Sequence, residues 1–411
     1  MKIAFFSPSW PPEQAQNGIA TYTDILTRAL TKLGHECVII TPDLIDGAKG
    51  PLACYTATPR HYTGAKALLK KIETRRGSQK DFVLREYTLG IADALDKAQA
   101  DGPIDIFEIE ETHGRSFLLR DWIDIPMVVR CHGPHFLVHQ EKFNRSDEAR
   151  IRQEGNAIAD ADGLTCPSDA LLARVEEKYP NTTALTTAFA NPIDLPAEQD
   201  CWRLENCDPN LIAFAGRFDL IKGGDIVLQA FNILAKDRPN LKLIFMGDDS
   251  GIPSGSGGLV KLPEYIQTHF DSHIQARIDF TGRIGRSEVA ANRKRALVSV
   301  MTSRFENFAY SMSEALSSGC PLATTQTLGL DRLLENEKDL MIAQDCTPDA
   351  VANAVAPLID SPKRAASLGA AGRQAVARIL SPESIAKQSI EFYKSVLSKR
   401  ASQDKIILER G

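Results

Sequence analysis

The sequence has no uninterrupted apolar run approaching the ~18 residues that a membrane-spanning helix needs. Its opening, MKIAFFSPSWPPE, breaks into Ser and Pro after a short apolar stretch; that is too short for the core of a secretory leader, and none is expected. The eight cysteines are scattered, with no C-x-x-C pair and no His/Cys cluster at zinc-ligand spacing. This argues against a zinc module or a disulfide framework and fits a reducing, cytoplasmic setting. Positive charge is not in excess either: the net charge is −5, so no nucleic-acid partner is expected. No G-x-G-x-x-G fingerprint opens a helix after a strand, which removes the ordinary dehydrogenases.

What is there is a chain of 411 residues, 43% apolar and 25% charged, the composition of a globular protein too long for one ordinary core. Residues 2–7 form an apolar run ending in Ser-Pro. A Pro/Gln/Asn/Gly loop follows, then a helical pattern over residues 20–33 closed by Gly34, then a second apolar run at 38–41 stopped by Pro42. Strand, loop, helix, strand is the grammar of a parallel sheet. Further runs at 104–109, 127–131 and 163–166 continue it. The grammar restarts at 211–215, with strands expected at 241–246, 277–280, 298–302 and 321–325, and helices at 224–235, 287–295 and 311–318. The expectation is two α/β domains, 1–195 and 210–383, joined by a linker over 196–209. A last helix over about 384–400 has no strand after it. In such sheets ligands sit outside the C-terminal ends of the strands, on loops.

Four stretches put unusual residues on those loops. In SRFENFAYSMSEALSSGCP (303–321), Glu306 follows a strand and Glu314 lies eight residues later in a helix expected from Phe308 to Gly319. Backbone N–H groups of Asn307, Phe308, Ala309 and Tyr310 at a helix start suit a phosphate, and the flanking carboxylates suit hydroxyl groups. A capped helix with two surface glutamates is the plain alternative. In AGRFDLIKGG (215–224), Arg217 and Lys222 bracket a strand-to-helix loop, a pair suited to a departing diphosphate, or else to an ordinary loop ion pair. In SWPPEQAQNGIA (9–20), Gly18 lets backbone come close to a ligand, though a helix-entry turn explains Asn-Gly equally well. In VVRCHGPHF (128–136), His132 follows a strand, with His135 close behind.

The 303–321 block resembles the E-x7-E block of retaining glycosyltransferases with the GT-B fold, especially glycosyltransferase family 4. Gly216, Arg217, Lys222 and Gly223 are similar to that family's G-R-x4-K-G. The Pro-rich loop ending at Gly18, a His at the place of His132, ADADGLTCPS (159–168) and Asn191-Pro192-Ile193-Asp194 follow in family order over roughly residues 3–345. The resemblance implies two Rossmann-like domains with parallel sheets facing a central cleft. It implies a nucleotide-sugar donor, with UDP or GDP as the nucleotide, and an acceptor hydroxyl. It implies hexose transfer with retention, and neither cofactor nor metal. It assigns Arg217 and Lys222 to the departing diphosphate, Glu306 to the donor sugar and Glu314 to the ribose diol. His132 falls near the transferred sugar. The backbone of Gly18, Gly216, Asn307, Phe308 and Ala309 falls at the phosphates, and that of Arg283 and Ile284 at the base. Asn307 and Ala309 replace two common glycines of the family, and Leu328-Gly329-Leu330-Asp331 departs from its Gly-Gly/Pro-Glu segment.

A nucleotide-sugar 2-epimerase on the same architecture and a non-catalytic nucleotide-sugar-binding subunit are the alternatives. Asp160-Ala161-Asp162 has the form of a metal-binding D-x-D but sits at a helix end, and no metal site is expected there. The Gly/Ser stretch 255–258 reads as a flexible loop over the cleft. One local basic patch runs from Arg60 to Arg85 through Lys66, Lys70, Lys71, Arg75, Arg76 and Lys80. It offers a peripheral contact with anionic membrane at the cytoplasmic face.

Overall fold

The computed structural model describes residues 1–12, 17–45, 52–61, 79–137, 143–255 and 257–410, with 79–83 and 404–410 described as backbone alone. The chain divides into two units, Met1–Pro192 together with Pro382–Gly411, and Ile193–Ser381.

The first unit runs β1 (Lys2–Phe6), α1 (Gly18–Lys32), β2 (Glu36–Thr41), β3 (Ala53–Thr56), α2 (Gln79–Ala100), β4 (Ile106–Glu110) and α3 (Arg115–Leu119). It continues through β5 (Met127–Arg130), α4 (Arg145–Asp160), β6 (Gly163–Cys166), α5 (Asp169–Lys178) and β7 (Leu185–Ala188). Its sheet has the order β3-β2-β1-β4-β5-β6-β7 with every neighbouring pair parallel. All residues of β1, β4, β5 and β6 are buried, as expected for strands covered on both faces. The edge strands β3 and β7 are partly exposed and more polar. Strand order reverses between β1 and β4, and the C-terminal ends there open a crevice.

The second unit repeats the plan. It contains β8 (Asp208–Ala215), α6 (Gly224–Ala235), β9 (Lys242–Met246), β10 (Ile252–Ser254), β11 (Gly258–Val260), α7 (Leu262–His269) and α8 (Ser272–Gln275). After these come β12 (Ile278–Gly282), α9 (Arg286–Arg295), β13 (Ala296–Met301), α10 (Tyr310–Ser317), β14 (Leu322–Thr324), β15 (Met341–Ile342), α11 (Pro348–Asp360) and α12 (Pro362–Ile379). The parallel order β12-β9-β8-β13-β14-β15 places its switch point between β8 and β13. Around the Gly/Ser stretch read as a flexible loop, β10 and β11 pair antiparallel; Ser256 lies outside the described residues.

Residues 196–209, read as a linker, form part of the second unit. Trp202 is buried there. Its backbone N–H donates to the Ser318 carbonyl (2.8 Å) and its ring N–H to the Ala296 carbonyl (2.8 Å), while Arg373 donates to the Pro196 carbonyl at 3.0 Å. One large apolar ring is enough to dock a stretch that otherwise has little reason to fold.

The last helix, α13 (Pro382–Arg410), belongs to the first unit. Tyr393 Oη donates to Glu108 Oε2 at 2.6 Å. Gly163 lets the helix approach β6, since a Cβ there would stand 2.7 Å from Val396 Cγ2. No helix among the described residues is long and apolar enough to cross a membrane.

Candidate active site

In the second unit the chemistry-bearing loops leave β8 and β13, the two strands that flank the switch point. Gly216 and Arg217 follow β8 directly. Asp219, two residues on, takes the Arg217 Nε–H on Oδ2 (2.6 Å) and the Lys222 backbone N–H on Oδ1 (2.6 Å). One carboxylate therefore shapes the loop and holds its cation. Gly223 is left-handed (φ 66°), and a Cβ there would stand 1.9 Å from the Thr302 carbonyl oxygen. Thr302 in turn donates its hydroxyl to the Gly223 carbonyl at 2.7 Å, which ties the two loops together. Arg304 reinforces them with a forked pair onto Asp225 (2.7 and 2.6 Å), a geometry that only a guanidinium supplies.

The result is that Lys222 Nζ meets Glu306 Oε2 in an ion pair. Arg217 is about half exposed, Lys222 and Glu306 are less so, and all three stand at the C-terminal end of the sheet. Asn307, Phe308 and Ala309 are buried. Helix α10 starts at Tyr310, two residues later than expected, and its N-cap Ala309 brings no side-chain acceptor to the first turn. The departing segment 328–331 supports this loop from beneath. Gly329 passes so close that a Cβ would stand 2.2 Å from the Asn307 carbonyl oxygen, and buried Asp331 accepts the Thr327 N–H at 2.9 Å.

Glu314, further along α10, pairs with the buried Arg293 of α9 at 3.0 Å. Both line a pocket of about 350 Å³ together with Asp194, Leu195, Arg286 and Ser287, which is within the size range of small-molecule sites. Gly282 is left-handed (φ 66°) and turns the chain after β12. Arg283 lies 3.8 Å from Asp248, and the Ile284 side chain packs on the core formed with Leu211, Ala213, Ile244 and Met246.

In the first unit, His132 leaves the end of β5. Its ring stands edge-on to Tyr22 at 5.0 Å. Burial, and then the neighbouring Arg130 charge, push the imidazole down to about 3, so it is neutral throughout the physiological range. Glu108, Glu110 and Glu111, at the end of β4, are all buried. Each is spent on internal partners. Glu108 accepts from Tyr22 and Tyr393, and Glu110 pairs with Arg115 at 2.5 Å. Glu111 accepts the N–H groups of His132 (3.0 Å) and Gly133 (2.7 Å). His135 bonds Asp147 at 3.0 Å.

Gly18 is simply the first residue of α1. Asn17 caps it by accepting the Ile19 N–H at 2.8 Å, and Gly18 does not adopt a left-handed conformation. Asn-Gly is thus a helix entry. Asp160 and Asp162 are occupied with Arg120 (3.1 and 2.8 Å), and Asp162 also takes the Met127 N–H at 2.7 Å, so this D-x-D fastens β5 to its neighbours. Of the basic patch, residues 62–78 lie outside the described residues. Arg60 pairs with Asp93 at 3.4 Å.

Sequence reasoning missed Asp219, Arg293 and Glu154. Asp219 had a local signal, an Asp two residues after one cation and three before the other. Arg293 and Glu154 had none, since Arg293 meets Glu314 only through the packing of two helices and Glu154 meets the His113 and His135 N–H groups only once their turns pack on its helix.

Comparison with known proteins agrees with this layout. The family model described as Glycosyltransferase Family 4 matches residues 16–196, and that of Glycosyl transferases group 1 matches residues 202–375. The D-inositol 3-phosphate glycosyltransferase of Corynebacterium urealyticum is 27% identical over 298 residues, 68% of this chain and 68% of that protein. Among solved structures, the sucrose-phosphate synthase of Thermosynechococcus elongatus superposes with a TM-score of 0.71 at 19% identity, covering 97% of this chain and 99% of that one. Anabaena HepE, in complex with UDP and glucose, does so with a TM-score of 0.65 at 16% identity, covering 96% and 100%. With both halves matched in order on two parallel-sheet units, the chain belongs to glycosyltransferase family 4 and has the GT-B fold.

Proposed function

We propose that this enzyme moves a hexose from a nucleoside-diphosphate sugar to an acceptor hydroxyl, with retention at the anomeric carbon and without a metal. The observation that carries this reading is the gathering of Arg217, Lys222, Glu306 and the start of α10 at the β8/β13 switch point. Two cations and a helix N-terminus meet the charge that develops on a diphosphate as it leaves. The backbone of Asn307, Phe308 and Ala309 adds N–H donors, whereas the Gly216 N–H is already given to the Met246 carbonyl at 2.9 Å. Glu306 takes the donor sugar's hydroxyls, and Lys222 passes from that carboxylate to the phosphate when donor binds. Glu314 takes the ribose diol at the mouth of the pocket it lines, and the backbone at Arg283 and Ile284 meets the base. The departing phosphate takes the acceptor's proton. UDP is the favoured nucleotide, since HepE, similar in fold, is solved with UDP. The protein works in the cytoplasm, with peripheral contact to anionic membrane through the stretch from Arg60 to Arg85.

The test is a thermal-shift screen of the whole chain against UDP, GDP, ADP and their sugars without added metal. A ligand at about 100 times its Kd adds roughly 2.7 kcal/mol of stability. A selective shift that Arg217→Ala abolishes supports the reading. No shift with any nucleotide at millimolar concentration overturns it in favour of a non-catalytic role.

A further inference from the structure

Four buried glutamates lie around the end of β4 in the first unit: Glu108, Glu110, Glu111 and, from α4, Glu154. Burying a carboxylate costs several kcal/mol unless it is paired or hydrogen-bonded. Glu108 and Glu110 are answered by Tyr hydroxyls and by Arg115. Glu111 is different, because both of its oxygens are spent on consecutive backbone N–H groups, those of His132 and Gly133. Glu154 faces it and does the same for the two flanking turns. It accepts the His135 N–H at 2.7 Å and the His113 N–H at 3.4 Å. His113 is itself left-handed (φ 59°), a conformation that a non-glycine residue holds only when its surroundings enforce it. Gly114 follows in the same region (φ 66°), and a Cβ there would stand 2.1 Å from the Gln153 carbonyl oxygen of α4. The strained turn after β4, the helix α4 and the loop bearing His132 are thus locked together through two carboxylates.

We propose that Glu111 is a positioning residue for sugar transfer, its ionised carboxylate clamping the backbone of the loop that carries His132. This rests on the transferase reading above and on the family resemblance that puts His132 near the transferred sugar. Protonation removes one of the two acceptor oxygens, so the clamp is complete only when Glu111 is ionised. Burial, and next the facing charge of Glu154, raise Glu111 to about 7. The other groups that face it are Cys131 just after β5 and Tyr179 at the end of α5, with Arg150 countering Glu154 at 2.7 Å. The clamp therefore opens as pH falls through neutrality.

The experiment uses the full chain and Glu111→Gln, which keeps the shape but turns an amide N–H₂ toward one backbone N–H. Hydrogen exchange of the peptide covering residues 127–137 is read first, and release of UDP from UDP-glucose, with water as acceptor, is followed from pH 5.5 to 8.5. We expect faster exchange at His132 and Gly133. We also expect kcat at pH 8 lower by about 10–100-fold with the KM for UDP-glucose held within about twofold, and loss of the wild-type decline below pH 7. Unchanged exchange overturns the clamp itself. Faster exchange with wild-type kcat and pH profile overturns the positioning role while leaving the transferase reading intact. A wild-type chain that neither binds nor cleaves any nucleotide-sugar overturns that reading instead, and the role in transfer with it. Should Glu111→Gln not fold, Glu154→Gln serves: removing the facing charge should move the decline to lower pH, and an unmoved decline counts against Glu111.

Discussion

Lys222 and Glu306, 84 residues apart in sequence, form an ion pair across the switch point of the second sheet. Neither loop makes this contact alone. Lys222 is placed by the Asp219 turn, Glu306 by the loop after β13, and Thr302 holds the two backbones together. A site organised in this way has cations that are already oriented and carboxylates that a ligand's hydroxyls can take over.

Removing one preorganised charge should be costly. Arg217→Ala is expected to lower kcat by about 10²–10³-fold, the loss typical of one missing donor to a developing anion. Asp219→Ala, which frees both the guanidinium and the Lys222 N–H, should fall in the same direction. Steady-state kinetics with the donor identified by thermal shift is the measurement, and near wild-type rates for Arg217→Ala would refute the assignment.

Glu314 should act on binding. Glu314→Gln is expected mainly to raise the donor KM. It also weakens the partner of buried Arg293, so a loss of about 1–3 kcal/mol in urea unfolding is expected. The coupling is read in a cycle with Arg293→Met. An unchanged KM removes Glu314 from the nucleotide.

Gly223 and Gly34 offer a matched pair. Both are left-handed, but a Cβ at Gly223 collides with the Thr302 carbonyl oxygen while one at Gly34 meets nothing within 4 Å. Gly34→Ala should cost about 1 kcal/mol, the strain of the backbone alone. Gly223→Ala should cost clearly more and depress activity with it. Equal losses in denaturant melts would mean that the Gly223–Thr302 contact is loose.

The pH dependence has a definite sign. Glu111 is raised in the folded chain from 4.5 to about 7, so between these values the folded state holds a proton that the unfolded state has released. Its contribution to stability is present below pH 4.5 and is lost as pH rises to about 7. Stability of Glu111→Gln relative to wild type should therefore climb over that window in denaturant melts, and a flat difference would contradict the shift. His132, held near 3, should add no activity limb near pH 6.5.

Much of this was legible in the order of residues. Strand β6 and helix α6 fall where the sequence pattern places them, because strands buried on both faces are predominantly apolar. The edge strands β3, β7 and β15 were not visible. A strand with one neighbour, such as Ala53–Thr56 or Leu185–Ala188, keeps a partly exposed, mixed sequence, and two-residue β15 has no pattern at all. The strand pair flanking the Gly/Ser stretch was invisible for a related reason, since Ile252–Ser254 and Gly258–Val260 are too short to carry an alternation.

The sequence by itself determined the repeated α/β grammar, the loops on which Arg217, Lys222, Glu306 and His132 stand and the helix that carries Glu314, because these follow from local composition and spacing, while the family came from the resemblance of its motifs. Only the tertiary structure decided what those side chains face. Pairing Lys222 with Glu306, Arg293 with Glu314, and Glu111 with the backbone of His132 requires strands and helices distant in sequence to be brought together. A carboxylate's identity as surface charge, ligand or buried clamp is set by the dielectric and the donors around it, and neither is written in its neighbours along the chain.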